Sequence, residues 1–370
     1  MNKLAIVGAG NAACISALSH YFHNKLKKNN PNEIEIYHDP SIPIERVGQG
    51  TTPFFSQYLN TIFGINHYNS INTIKSTFKT GILYENWGKK KDKHFHPFHL
   101  QMTSIHYVPE LLSKMVLKSG LFKVIEKNIE DPEKEIDANC IIDCRGRNNR
   151  DKTLYRNIIN PINSVILSNK KGRDVDLLYT KCIATPNGWT FVIPNHDSVS
   201  YGYLYNNKIT SKENAEKDFI NRFDVIPDGY LNFENYIAKN IYQGERTILN
   251  GNRLAFLEPL EANSSPFYNL VSTLAGARYH TEKKELNKKI QREADKIQNF
   301  IMWHYAKGSK YETPFWDYAI SLSKGTFDKD EEFLEILKFS RSQSWSEILK
   351  HQDLNYNQWN CYSVQNWDEV

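Results

Sequence analysis

Two side chains far apart in this sequence, Lys79 and Glu261, close short runs that could carry amine and proton chemistry. Lys79 ends Ser76, Thr77, Phe78, Lys79, and Glu261 ends Phe256, Leu257, Glu258, Pro259, Leu260, Glu261. A lysine taken out of water loses part of its charge and becomes a usable amine, and a carboxylate within reach of a reacting proton is a general base. Taken singly, each is more often a solvated surface group or an exposed acid at a helix start. Between them lies Gly188, Trp189, Thr190, Phe191, Val192, Ile193, Pro194, which alone reads equally well as strand core.

These side chains need a frame, and its first piece opens the chain. Leu4–Val7 is a short apolar run entering Gly8, Ala9, Gly10, Asn11, Ala12, Ala13, after which Cys14, Ile15, Ala17 and Leu18 take up helical spacing. This is strand, tight turn, helix: Gly8 permits the turn, Gly10 admits a pyrophosphate and Ala13 allows close helix packing. The free amides of the helix start face the phosphates. A second strand, Glu33–Tyr37, ends at His38 and Asp39, the candidates for a ribose contact. A third signal is the apolar strand Cys140, Ile141, Ile142, Asp143, followed by Cys144, Arg145, Gly146, Arg147, which can return the chain beside the first glycine turn. Together these favour FAD as cofactor.

Residues 160–235 alternate short apolar runs with polar turns and read as antiparallel strands on the substrate side. Leu286, Ile290, Ala294, Ile297 and Ile301 predict a long amphipathic helix. The 370 residues carry a net charge of only +4 with one short basic run, Lys89, Lys90, Lys91 and Lys93, which argues against a nucleic-acid partner. Five cysteines without framework spacing suit a reducing compartment. With no leader-like N-terminus and no apolar run long enough to span a bilayer, the expectation is a cytoplasmic, soluble protein with no membrane partner. His94, His96 and His99 could suggest a metal, but no cysteine or carboxylate accompanies them in sequence, so no metal site is assigned.

Several strings, in order and spanning most of the chain, resemble the flavin-dependent tryptophan halogenase family. Val47, Gly48, Gln49, Gly50, Thr51, Thr52, Pro53 resembles its VGEATIP loop beside the flavin. Thr77, Phe78, Lys79, Thr80, Gly81, Ile82 resembles its catalytic-lysine segment, and His96, Pro97, Phe98 its aromatic pocket. The run from Gly188 resembles its GWxWxIP signature; Gly202–Tyr205, Trp303–Tyr305 and Thr313–Trp316 also match.

The resemblance implies an FAD-binding Rossmann-like α/β fold of the aromatic-hydroxylase type, with an interleaved antiparallel substrate sheet and C-terminal helices. One unit would cover 1–345, with FAD segments near 1–55, 100–160 and 240–285, substrate segments near 56–99 and 160–239, and a tail from 346 to 370. It implies that reduced FAD, oxygen and halide yield hypohalous acid, which Lys79 delivers to an electron-rich arene while Glu261 orients it and takes the ring proton. A separate flavin reductase would supply FADH2, and a homodimer is allowed. FAD contacts would fall on Gly8, Gly10, Asn11, Ala12, Ala13, Gly48, Gln49, Gly50, Thr51, Asp143, Gly146 and Leu257, and on His38 or Asp39; the family register puts His38 at the usual acidic position. Asn263 and Ser264 would hold halide, and His96, Phe98, Trp189 and Phe191 would line the substrate pocket.

The chain departs from that pattern in several places. Phe191 replaces the second signature Trp, Gln49 a Glu, and Ala262, Asn263, Ser264 the usual Ser, Thr, Gly. The interval from Trp316 to Trp345 is shorter than in tryptophan-specific members, which points to an arene other than free tryptophan. The rival readings are an FAD monooxygenase, disfavoured by Asn250, Gly251, Asn252 where a Gly-Asp pair is usual, and a flavin-binding protein that has lost catalysis.

Overall fold

The computed structural model describes residues 3–27, 33–45, 47–66, 69–98, 103–147, 150–172, 178–277 and 282–335. His99, Trp345 and the tail from 346 lie outside them. The N-terminal run forms strand Lys3–Val7, central in a five-stranded sheet ordered Thr247–Leu249, Cys140–Asp143, Lys3–Val7, Glu33–His38, Lys123–Glu126, with every pairing parallel. Such a strand is covered on both faces and is therefore apolar almost throughout, as Leu4–Val7 is. Helix Asn11–Lys27 follows the glycine turn and packs against helix Ser264–Ala277.

The second large sheet has seven strands, ordered Gly229–Asn232, Ser164–Lys171, Ser198–Tyr205, Gly188–Pro194, Thr180–Thr185, Gly81–Glu85, Lys93–Pro97. Its pairings are antiparallel, as its alternating runs predict, except between Thr180–Thr185 and Gly81–Glu85, which are parallel. That exception arises because Gly81–Glu85 is no hairpin neighbour of Thr180–Thr185. It enters from the lysine segment, far earlier in the chain. One face of this sheet carries Tyr84, Cys182 and Phe191 in register, with Gly202 opposite Phe191. A Cβ on Gly202 would lie 2.2 Å from the Phe191 ring, so the glycine is what admits the aromatic side chain. Gly202→Ala is expected to lower unfolding free energy by about 1–3 kcal/mol in a denaturant titration, the usual cost of overpacking.

A small sheet joins the two halves of the site. Its middle strand, Ser104–Tyr107, pairs with Gln49–Gly50 on one side and Thr77–Lys79 on the other. The expected helix is Lys283–Ala306, with Leu286, Ile290, Ala294, Ile297 and Ile301 buried along one stripe. No described helix is long and apolar enough to cross a membrane.

Candidate active site

Lys79 is wholly buried at the end of its strand. Its Nζ lies 5.4 Å from the centre of the Phe98 ring, and a Cβ on Gly50 would come within 3.1 Å of it, so the glycine loop and the lysine segment touch. His106 sits beside this amine. The Thr77 hydroxyl donates to the Pro194 carbonyl at 2.5 Å, so at 2.9 Å it must accept from His106 Nδ1, while Nε2 lies 2.9 Å from Thr180 Oγ1, a hydroxyl that can donate to it. His106 is thereby suited to be a neutral ring protonated on Nδ1. Burial, and then the nearby lysine charge, hold it well below the usual histidine value, in agreement with that tautomer.

Glu261 is equally buried and has an unusual backbone. It lies at φ 64°, ψ 10°, and Ala262 follows at φ 54°, two consecutive non-glycine residues in the left-handed region, each costing roughly 1–2 kcal/mol. Three donors on Oε1 hold the side chain there: Tyr84 OH, His96 Nδ1 at 3.0 Å and His304 Nε2 at 2.8 Å. His304 Nδ1 lies 2.7 Å from the Phe300 carbonyl, which can only accept, so that nitrogen carries a proton. Nε2 faces the Glu261 carboxyl. Burial alone would push the Glu261 carboxyl up, but the charges and hydrogen bonds of His96 and His304 outweigh it and hold the group well below the usual carboxylate range.

The sequence placed no carboxylate with the histidines, and here the structure corrects it: His96, Glu261 and His304 bring ligand-type atoms within 4.8 Å of one another. Tyr84, His96 and His304 all bond to Oε1, so the arrangement is a hydrogen-bond hub. His94, next to it, is lowered to about 4 by burial and then by His96, and stays neutral.

Lys79 and Glu261 approach the same face of the seven-stranded sheet. Thr180 Oγ1 lies against the Gly50–Lys79 contact, and Cys182, two residues on, pairs with the Tyr84 that donates to Glu261. His96, which donates to Glu261, and Phe98, under the lysine, are likewise two residues apart. Trp189 and Phe191 form the adjoining wall, their rings 6.4 Å apart at 64°.

Glu258, the other acid of the run, is also buried. Asn160 donates to it at 2.5 Å and Tyr305 OH lies 3.1 and 3.2 Å from its two oxygens, while Trp189 Nε1 donates to Tyr305 OH at 2.9 Å. Burial pushes the Glu258 carboxyl up to about 8, against those hydrogen bonds. A folded-state value above the unfolded one of 4.5 means that stability is full below that pH and is lost as pH rises toward 8. The loss is on the order of 5 kcal/mol. Glu258→Gln should therefore flatten the fall in melting temperature between pH 5 and 8; a slope unchanged from wild type would count against a neutral Glu258.

On the nucleotide side, Gly8 has φ +121°, and a Cβ there would lie 2.8 Å from the Cys144 carbonyl, so the strand ending at Asp143 does return beside the glycine turn. Nothing lies within 4 Å of a Cβ on Gly10, and the first turn of helix Asn11–Lys27 has no acid to repel phosphate. These residues fit a dinucleotide pyrophosphate. Ala12 and Ala13 are buried in that helix, and Tyr107 OH donates to Asn11. Asp143 is ion-paired with Arg145 at 2.7 Å and Arg253 at 3.3 Å. Gly146 follows at φ +84°. His38 ends its strand, and the Asp39 carboxylate is bonded to the Ser41 amide and hydroxyl at 2.9 and 2.6 Å. The Gly48 amide donates to Ser200 at 2.9 Å, Gln49 and Gly50 lie in the small sheet, and Thr51 and Leu257 are buried.

At the turn beyond Glu261, the Asn263 amide donates to the Leu260 carbonyl at 2.6 Å, and Ser264 begins helix Ser264–Ala277. The left-handed backbone angles fall on Glu261 and Ala262, not on Ser264. Sequence reasoning gave no role to Tyr84, His304, Tyr305, Asn160 or His106. His304 and Tyr305 stood in a matched string, but a histidine among aromatics reads as core.

A sequence model of the tryptophan halogenase family matches residues 3–120 and 123–370. The tryptophan 7-halogenase RebH of Lentzea aerocolonigenes is 25% identical over 150 residues, which cover 37% of this chain and only 28% of that protein. The structure of a tryptophan halogenase from Shewanella frigidimarina superposes with a TM-score of 0.77 at 18% identity, over 98% of this chain and 89% of that one. BrvH, a flavin-dependent halogenase from Brevundimonas sp., gives 0.77 at 15% identity, over 100% and 89%. At such identities the superpositions establish a shared fold.

Proposed function

Because the chain belongs to the tryptophan halogenase family, we propose that it is a flavin-dependent halogenase acting on an electron-rich arene. The observation that carries this reading is the convergence of buried Lys79 and buried Glu261 on one aromatic-walled sheet face. When bound, reduced FAD supplies the electrons with which oxygen oxidises halide to hypohalous acid. The glycine turn, the amides opening helix Asn11–Lys27 and the loop Gly48–Thr51 hold that cofactor. The start of helix Ser264–Ala277, with Asn263, faces the halide.

Trp189 and Phe191 separate the oxidant's origin from the arene. Lys79, reached past Gly50, hydrogen-bonds the hypohalous acid or carries its halogen on nitrogen, which keeps a general oxidant away from Met, Cys and Trp. Attack by the ring forms carbon–halogen and breaks the halogen's bond to oxygen or, on the haloamine route, to nitrogen. When the hypohalous acid is held by hydrogen bond, the departing hydroxide takes a proton from the Lys79 ammonium and leaves as water; on the haloamine route water has already left when the nitrogen–halogen bond formed. The ring proton passes to Glu261 and is returned to the lysine nitrogen to close the cycle. A proton on a halogenated arenium carbon is very acidic, so even a carboxylate held in its ionised form suffices to accept it.

A separate reductase supplies reduced flavin. The test is incubation of the purified protein with FAD, a flavin reductase, NADH and chloride, bromide or iodide against an arene panel, read by mass spectrometry. Halide-dependent product supports the reading. Hydroxylated product, or stoichiometric FAD binding with neither product, replaces it with one of the two rivals.

A further inference from the structure

We propose that His304 is a positioning residue of this site: through one hydrogen bond, and as a doubly protonated ring, it keeps Glu261 an anion aimed to receive the substrate's proton. This rests on the halogenase reading for its catalytic consequence, but not for its structural content.

The geometry leaves little freedom. Helix Lys283–Ala306 carries His304 in its last turn, and its Nδ1–H is committed to the carbonyl four residues back, at 2.7 Å. Nε2 can therefore point only outward from the helix, where it meets Oε1 at 2.8 Å. Two acceptors cannot share that distance without a proton between them. Oε1 already accepts from Tyr84 and from His96 at 3.0 Å, so the anion is the form that all three neighbours support. A fully buried anion needs positive charge nearby, and His304 supplies part of it.

Of the other titratable groups facing Glu261, His96 shares that role, since it donates to the same oxygen at 3.0 Å and its charge also holds the carboxyl down; the rest are neutral. Tyr84, from strand Gly81–Glu85, is a neutral donor. His94, beside His96 on strand Lys93–Pro97, is neutral. Cys182, from strand Thr180–Thr185, is kept a neutral thiol by burial and then by Glu261. Without the His304 hydrogen bond, the strained left-handed turn at Glu261 and Ala262 would also lose one of three side-chain anchors.

The experiment uses His304→Gln, which can still donate to Oε1 but carries no charge. The full protein is assayed with flavin reductase and bromide from pH 5 to 9. Wild type should show no acid limb in kcat across that range. His304→Gln should lose about 10–100-fold at pH 6, the factor a hydrogen bond to a charged group is worth, and recover most of it by pH 8 as Glu261 deprotonates. An equal loss at every pH would mark His304 as merely structural and overturn the proposal, as would no loss.

A second measurement does not need turnover. Infrared difference spectra of each protein against its Glu261→Gln counterpart, at pH 6, report whether a protonated carboxyl disappears. None should be lost from wild type, and one should be lost from His304→Gln. Loss of a protonated carboxyl from wild type in that difference refutes the proposal even if no halogenation is ever seen. Absence of halogenation with the expected spectra would instead sink the functional reading and leave the charge assignment standing.

Discussion

Lys79→Ala abolishes halogenated product while leaving FAD affinity and the oxidation of reduced flavin near wild type. The lysine acts after the oxidant exists, so the steps before it should not feel its loss. Its strand pairs with Ser104–Tyr107, the same strand that pairs with the glycine loop, but through backbone bonds that alanine retains. The expected fall in product is at least about 10³-fold, the upper end of what removing one positioned polar group costs. Because Lys79 is buried under Phe98, truncation leaves a void. Lys79→Met, which keeps the chain length without the amine, separates chemistry from packing. Both variants should be inactive and both should oxidise reduced FAD; a Met variant with near-normal product would remove Lys79 from the mechanism.

Glu261→Gln should reduce kcat by about 10²-fold, the usual contribution of a positioned acid–base group. The amide keeps the size of the side chain and can accept at Oε1 from Tyr84 and the histidines, so the left-handed turn is not released. It cannot take a proton. It also leaves the His304 charge without its counter-ion, so thermal stability should fall modestly. Normal turnover in this variant would reduce Glu261 to a structural anchor of its own turn. FAD binding, measured by flavin fluorescence quenching, should not change.

Much of the frame was legible in local pattern. The glycine turn, its flanking strand and helix, the strand ending at Asp143 and the stripe from Leu286 to Ile301 are each set by residues near one another in sequence. Lys79, Glu261, Trp189 and Phe191 could be singled out because they sit in recognisable strings. What could not be read was which side chains meet. Glu261 bonds to His96, 165 residues earlier, and to His304, 43 residues later, and no periodicity encodes such a meeting. Glu258 is the sharper case: two acids three residues apart in one run look interchangeable, yet one is held ionised by two histidines and the other is pushed toward neutrality by burial. The parallel pairing of Gly81–Glu85 with Thr180–Thr185 was hidden for the same reason.

His304 and Tyr305 are neighbours in the last turn of one helix, and each grips a different glutamate of the Phe256–Glu261 run. Successive residues of a helix point about 100° apart, so the two grips cannot be adjusted separately by turning the helix. A roll that shortens the His304 contact lengthens the Tyr305 contact, and with it shifts Trp189, which hangs on the Tyr305 hydroxyl. Proton acceptance and the shape of the arene wall are thus geared to one shaft. Substitutions far down the buried stripe, at Ile297 or Ile301, should alter regiochemistry and turnover together, and selection for a new arene should find its gains tied to changes in rate.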